Sequence, residues 1–231
     1  MKAAVLTAFG APLEIAELPT PTPADDEVLV QLEACGVCHS DLHIVDGALP
    51  AFRAAAKPRL IPCHEAVGRV VVPGSAVSQL QLGQRVGVAW LRHSCGICEP
   101  CREGNENLCR KGVITGLMVD GGYTEFMKAK ASHAIPVPAA LGAEEAAPLF
   151  CAGVTVYRAL RNAVTAPGQR VAVFGVGGLG HEGINRYTAP PFIAAALVNE
   201  ASLWRVVALA SDGQFVGESE WRDIATVPSA R

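Results

Sequence analysis

The chain has no apolar run long enough to cross a bilayer. Its longest, from Pro190 to Val198, falls far short of the roughly 20 residues a spanning helix needs. It has no surplus of charge either. Nineteen Lys and Arg against 22 Asp and Glu leave a formal −3, which gives no electrostatic footprint for DNA, RNA or an anionic membrane. A secretory signal is also missing: MKAAVLTAFG contains no long apolar stretch, and Glu14 and Glu17 soon follow. No internal repeat or low-complexity tract interrupts the sequence. These absences predict a cytoplasmic, globular protein with neither nucleic acid nor membrane as partner. What is there supports that: 231 residues, 50% hydrophobic and 18% charged, enough for one large domain or two ordinary ones with a core that needs no covalent staples.

Cysteine is plentiful, with eight residues, and four of them sit in C-G-I-C-E-P-C-R-E-G-N-E-N-L-C. Cys95, Cys98 and Cys101 recur every third residue, too close to serve one another as relaxed disulfide partners, and Cys109 returns to them. A tetrahedral zinc needs four thiolates about 2.3 Å from one centre, which a tight loop plus one returning residue can supply. Gly96 and Gly104 allow that loop to turn without Cβ clashes. The alternative, a disulfide framework, lacks the secretory context it requires. The eight cysteines therefore read as a reduced, metal-binding set around a structural zinc.

The first 140 residues read as short strands with turn chemistry between them: Lys2–Ala8, Leu13–Leu18, Val28–Ala34, Val67–Val72, Arg85–Trp90, Tyr123–Lys128 and His133–Val137. Pro19, Pro21 and Pro23 cannot donate ladder hydrogen bonds and mark a connection. Such a pattern predicts a β-barrel-like domain. Near Leu141 the spacing turns helical, over Leu141–Phe150 and Gly153–Ala163, and the strand Arg170–Phe174 then runs into glycines. Helix, strand and Gly-rich turn predict the start of an α/β unit.

Cys38, His64 and Cys151 stand far apart, in G-V-C-H-S-D-L-H, I-P-C-H-E-A-V-G and L-F-C-A-G-V-T-V-Y. Each alone is a weak signal, since a lone Cys or His is more often packed or exposed than a ligand. Together they offer two thiolates and one imidazole, leaving a fourth tetrahedral position for water or substrate.

GVCHSDLH (36–43), IPCHEAVGRV (61–70), the cysteine run (95–109), DGGYTEF (120–126), APLFCAGVTVYRAL (147–160) and VAVFGVGGLGH (171–181) together carry a resemblance. The chain resembles the zinc-dependent, medium-chain alcohol dehydrogenases over about residues 1–181, with the motifs in that family's order. The resemblance implies a mainly-β, GroES-like catalytic domain at 1–150 holding one catalytic and one structural zinc. It implies the start of a Rossmann-type coenzyme domain at 151–181; the family is usually homo-oligomeric through that domain, and those contacts would be missing from this shortened chain. It also implies that Cys38, His64 and Cys151 bind the catalytic zinc, with Glu65 as alternative or outer ligand. Ser40 and His43 would relay the alcohol proton to solvent, and Asp41 would orient His64. His39 would lie near the cofactor pyrophosphate, with Thr155 and the glycine loop beside the NAD(P). Zinc as Lewis acid would lower the pKa of a bound alcohol, and hydride would pass to nicotinamide. One position departs from the family: Cys63 replaces a glycine that would permit unusual dihedrals or close backbone approach. It reads either as a tolerated small residue or as a thiol crowding the zinc.

Gly175, Gly177, Gly178 and Gly180, with Leu179 among them, satisfy G-x-G-x-x-G directly after the strand Val171–Phe174, which makes the motif a dinucleotide fingerprint. The helix that follows would offer its N–H groups to phosphate. After His181 the pattern breaks, because Pro190 and Pro191 end any helix within about two turns. Phe192–Leu203 then reads as a helix and Arg205–Ala210 as a strand. Asp212 lies too far from Gly180 to be the ribose ligand. Residues 182–231 accordingly read as an atypical, foreign or frame-shifted ending on a shortened dehydrogenase. Two functions follow: hydride transfer between a small alcohol or aldehyde and NAD(P), or a zinc-binding GroES-like domain without turnover. On this reading NAD(P)-dependent turnover should be weak or absent.

Overall fold

Strands form where β-branched residues alternate with polar ones, and in this chain they open with an antiparallel ribbon of β1 (Lys2–Val5) and β2 (Glu14–Glu17). The computed structural model describes residues 1–163 and 177–180 and, beyond these, the backbone of four strands between 195 and 223. The chain divides into two compact units, Met1–Cys151 and Ala152–Arg231.

In the first unit the main strands are β3 (Glu27–Cys35), β4 (Ala66–Pro73) and β5 (Arg85–Val88). They are followed by β6 (Leu91–His93), β7 (Val113–Ile114), β8 (Phe126–Lys130) and β9 (Ala134–Pro136). Five of them make one antiparallel sheet in the order β8-β3-β4-β5-β9. Two register shifts along the β3–β4 pairing bend and twist the sheet, as extra residues in a ladder do, so it curls into a half-barrel. Val28, Val30, Val70, Val86, Met127 and Ala129 fill its concave core. Each valine so buried contributes about 1.5–3 kcal/mol. The other face is covered from the far end of the unit. Val67 packs there against Ala146, Ala147 and Phe150.

The α-helices of four or more residues among the described residues are α1 (His39–Asp46), α2 (Pro50–Ala55), α3 (Glu99–Arg102), α4 (Ala143–Ala146) and α5 (Ala152–Ala163). The helix expected over Leu141–Phe150 is α4 followed by a 3-10 turn, Ala147–Phe150. Pro148 explains the change, because it has no N–H to continue an α-helical ladder. α1 had no counterpart among the expected elements.

One charged cluster lies inside the first unit. Glu27, at the start of β3, and Arg92 are both buried, and Arg92 Nη2 donates to the Glu27 carboxylate. Arg92 Nη1 donates to the Lys128 carbonyl at 2.6 Å, and Lys128 Nζ stands 3.4 Å from Glu27. Burial alone would raise the Glu27 pKa. The Ala24 N–H and the two cations outweigh it and hold the carboxyl below its ordinary value.

The second unit contains α5 and an antiparallel sheet. In that sheet β11 (Leu203–Leu209) pairs with β10 (Ala195–Glu200), β12 (Phe215–Glu218) and β13 (Arg222–Asp223). This corrects the helix expected over Phe192–Leu203: residues from Ala195 onward pair as a strand, with Ala195 opposite Ala208 and Glu200 opposite Leu203. Val198, Val206 and Val207 suit the pleated surface better than a helix. The expected strand at Arg205–Ala210 falls within β11, apart from its last residue. Residues 178–180 of the glycine loop are helical. Gly175, the strand Val171–Phe174, residues 181–194 and Asp212 lie outside the described residues.

Candidate metal centres

The first centre hangs from a stem. β6 and β7 pair antiparallel, and residues 94–112 loop out between them. Within the loop, α3 and a 3-10 turn at Glu106–Leu108 reverse the chain twice. Gly96 and Gly104 take φ of +69° and +74°, as the sequence predicts. The sulfurs of Cys95, Cys98, Cys101 and Cys109 all lie within 4.8 Å of one another. Cys98 and Cys101 are 3.4 Å apart, Cys98 and Cys109 3.9 Å, and Cys95 and Cys101 4.0 Å. A tetrahedron with Zn–S bonds of about 2.3 Å has edges of about 3.8 Å, so the set fits that ion. None of the four is in a disulfide.

Backbone N–H groups face the sulfurs: Cys95 N and Lys111 N both donate to Cys109 Sγ, at 3.3 and 3.4 Å. The N–H groups of Arg110 and Cys101 pull the Cys98 thiol down to about 6. Burial and the neighbouring sulfurs push Cys101 up to about 12. Protons alone therefore divide the cluster, and a divalent cation among the sulfurs would favour the thiolate at each.

The second centre is assembled from three separated places. α1 supplies the first. Cys38 is its N-cap, accepting from Ser40 N at 3.5 Å, while Asp41 at the third helical position accepts from Cys38 N at 2.9 Å. This reciprocal capping box fixes the helix start. The segment before β4 supplies His64 and Glu65, both buried. The end of the 3-10 turn supplies Cys151, placed by Phe150, whose ring lies so close to Gly87 that a Cβ there would sit 1.8 Å from it.

The four donor atoms of Cys38, His64, Glu65 and Cys151 lie within 4.8 Å of one another. Cys38 and Cys151 sulfurs are 3.7 Å apart, and His64 Nε2 is 3.3 Å from Cys151 Sγ. The opposite nitrogen, His64 Nδ1, faces Asp41 Oδ1 at 3.3 Å, out of line for a full hydrogen bond. Asp41 Oδ1 also accepts from Cys63 N, and Oδ2 from the Tyr123 hydroxyl at 3.1 Å. Burial, then the nearby Cys38, raises the Cys151 thiol, and burial raises Glu65 and Tyr123. Two thiols, an imidazole and a carboxylate turned onto one point make a donor set for a zinc-like cation.

Ser40 and His43 lie on the first turns of α1, one helical turn apart, both partly exposed. His39 is exposed and its ring meets that of His43 at a tilt of 59°, with centroids 4.7 Å apart. Thr155 belongs to α5, and Gly177, Gly178, Leu179 and Gly180 lie in the second unit.

Cys63 differs from both expectations, and so does the reduced cysteine set. Its side chain neither crowds the metal donors nor stays a free thiol: it forms a disulfide with Cys35, the last residue of β3. Its backbone has φ +86°, the region glycine takes without cost. Sequence reasoning also missed Trp90, whose ring meets His64 edge-on at 4.8 Å, and Tyr123. Only the capping-box spacing from Cys38 to Asp41 could have announced part of this arrangement.

The family model for the alcohol dehydrogenase GroES-like domain matches residues 24–139, half of the chain. Alcohol dehydrogenase of Geobacillus stearothermophilus is 47% identical over 183 residues, 78% of this chain and 53% of that protein. The probable alcohol dehydrogenase AdhA of Mycobacterium tuberculosis is 46% identical over 74% of this chain and 49% of its own length. Among solved structures, the cobalt- and zinc-bound thermostable alcohol dehydrogenase from Pyrobaculum aerophilum aligns with a TM-score of 0.76. It is 30% identical, over 85% of this chain and 59% of that one. The Helicobacter pylori CAD complexed with NADP(H) aligns at 0.78 and 26% identity, over 86% and 59%. The chain belongs to the zinc-dependent, medium-chain alcohol dehydrogenase family. It spans about half the length of the curated relatives it matches.

Proposed function

We propose that the chain is the metal-binding catalytic part of an alcohol dehydrogenase, an oxidoreductase for a small alcohol or its aldehyde with NAD(P) as hydride partner. The observation that carries this is the convergence of Cys38, His64, Glu65 and Cys151 in a chain of that family. A zinc ion bound in this centre would supply Lewis acidity toward an alcohol oxygen. Cys38, His64 and Cys151 would hold it, with Glu65 in reserve as a ligand. Asp41 fixes the His64 ring, leaving Nε2 for the metal. Ser40 and His43, on the partly exposed side of α1, carry the alcohol proton outward. Cys95, Cys98, Cys101 and Cys109 hold a second, structural zinc.

Residues 1–150 form the catalytic domain, 151–181 begin the Rossmann-type coenzyme domain, and 182–231 are an atypical tail. The residues we assign to NAD(P) binding by family resemblance are His39, Thr155, Gly175, Gly177, Gly178, Leu179 and Gly180. The compartment is the cytoplasm. Metal analysis of the purified chain tests the central point: two zinc equivalents are expected, and Cys38→Ser or His64→Ala should leave one. A single equivalent in the unsubstituted protein rejects the second centre.

One observation favours a second reading, a zinc-binding domain without turnover. The strands described between Ala195 and Asp223 pair antiparallel, whereas a Rossmann sheet is parallel. Titration with NADH followed by fluorescence separates the two readings. Saturable binding supports the dehydrogenase, and its absence supports the domain alone.

A further inference from the structure

The bond between Cys35 and Cys63 ties the end of β3 to the residue immediately before His64. We propose that this pair is a redox site, exchanged by small thiols, whose state sets the metal affinity of the neighbouring centre. The inference rests on the metal reading of Cys38, His64 and Cys151 given above.

Three observations support it. First, Cys63 is held at φ +86°, which costs a residue with a side chain but not a glycine. Two hydrogen bonds hold this conformation only in part: Cys63 N donates to Asp41 Oδ1 at 3.2 Å, and its carbonyl accepts from Gly122 N at 3.1 Å. The covalent link to β3 adds a tether that opposes relaxation. Second, the sulfurs have no spare room. A Cβ on Gly122 would lie 2.9 Å from Cys35 Sγ and 3.1 Å from Cys63 Sγ, and the Gly36 carbonyl is 3.6 and 3.5 Å from the two. Two separate thiols need van der Waals spacing, well beyond a bond length. One side must therefore move when the bond opens. Third, movement of the Cys63 peptide is passed directly to His64 and Glu65, the next two residues of the chain, and Glu65 is tied back to the residue after Cys35, its carbonyl accepting from Gly36 N at 3.0 Å. The strained Cys63 backbone is the part that gains by relaxing, and it carries a ligand.

Exchange enters at Cys35, which is partly exposed, whereas Cys63 is fully buried. A glutathione thiolate attacks Cys35 Sγ, the Cys35–Cys63 bond breaks, and Cys63 leaves as a thiolate that takes up a proton. A second glutathione thiolate then attacks the glutathione sulfur of the mixed disulfide. Cys35 leaves and is protonated, and glutathione disulfide is released. Two electrons pass from two glutathiones to the protein. Oxidation by glutathione disulfide runs the same steps backward. By linkage, metal bound at the centre favours the bonded form as much as the bond favours the metal.

The test uses the full, zinc-loaded chain equilibrated at a series of glutathione to glutathione disulfide ratios. Acid quenching, unfolding with chelator and alkylation then give the thiol count by mass, while competition with a chelator gives the affinity of the second zinc. The thiol count should change by two across the series, and zinc at the second centre should bind about tenfold more weakly in the reduced form. Cys35→Ser should bind like the reduced protein at every ratio. The double variant Cys35→Ser with Cys63→Gly should recover the tighter binding, because glycine takes the positive φ without strain. A thiol count that never changes overturns the redox site. Equal affinities in both states, or no recovery in the double variant, overturn the coupling. A single zinc equivalent in every sample overturns the metal reading and this coupling with it.

Discussion

Both carboxylate oxygens of Asp41 are engaged, by Cys38 N and Tyr123 on one side and by Cys63 N and the His64 ring on the other. One buried side chain thus fixes the position of two ligands. Asp41→Asn keeps the volume but replaces an acceptor oxygen with a donor facing donors. It should weaken zinc at the second centre by about 10–100-fold while the four-cysteine centre keeps its ion, as chelator competition will show. Gly36 offers a second residue-level test. A Cβ there would sit 2.1 Å from Glu65 Oε2, so Gly36→Ala has to displace the carboxylate or the strand end. A loss of about 1–3 kcal/mol is expected in urea unfolding. At this scale the sequence exposes ligand types well, since Cys and His in paired contexts are few. It hides their partners: nothing in the spacing of Cys35 and Cys63, 28 residues apart, announces that they meet.

The loop of residues 94–112 has almost no core of its own. Ile97 and Leu108 are 70% and 63% exposed, and among the four cysteines only Cys101 is buried. On the proposed assignment its fold would depend on a bound ion rather than on apolar burial, so that metal binding and local folding would be one event. Cys98→Ser should cost one zinc equivalent and leave the remaining three cysteines open to alkylation in the native state. The five-stranded sheet should keep its amide protection from hydrogen exchange. Strands β3, β4 and β5 were legible because Val runs mark them. Helix α1 was not, because its eight residues bury only Asp41 and Ile44, too few to set a helical period. Its cap and its terminal Gly47, at φ +63°, were the readable signals. β10 misled because alanine-rich runs favour helices locally, and strand pairing overrides that preference.

For the first unit as a whole, acid sensitivity should follow Glu27. Its folded pKa lies below the ordinary 4.5, so the stability it confers is complete above that pH and is lost as pH falls through the depressed folded value. Glu27→Gln leaves Arg92 buried without its carboxylate and should destabilise the unit by about 3–5 kcal/mol at neutral pH. It should also flatten the loss of stability with acid below about pH 4.5, measured by denaturant unfolding across pH. The half-barrel was legible from its strands, but this internal ion pair was not. Glu27 and Arg92 are 65 residues apart and read in the sequence as surface charges.

The two metal centres differ in how much chain they enclose. Cys95 and Cys109 are separated by 14 positions, Cys38 and Cys151 by 113. During synthesis the short loop has all its ligands soon after it leaves the ribosome and can close on an ion at once. The other centre has to wait for Cys151, the last residue of its unit. Until then Cys38 and His64 belong to an unfinished site. On the proposed assignment, topology would order metallation in time: the four-cysteine centre can close on an ion early on the nascent chain, and the centre that needs Cys151 only when the half-barrel is complete.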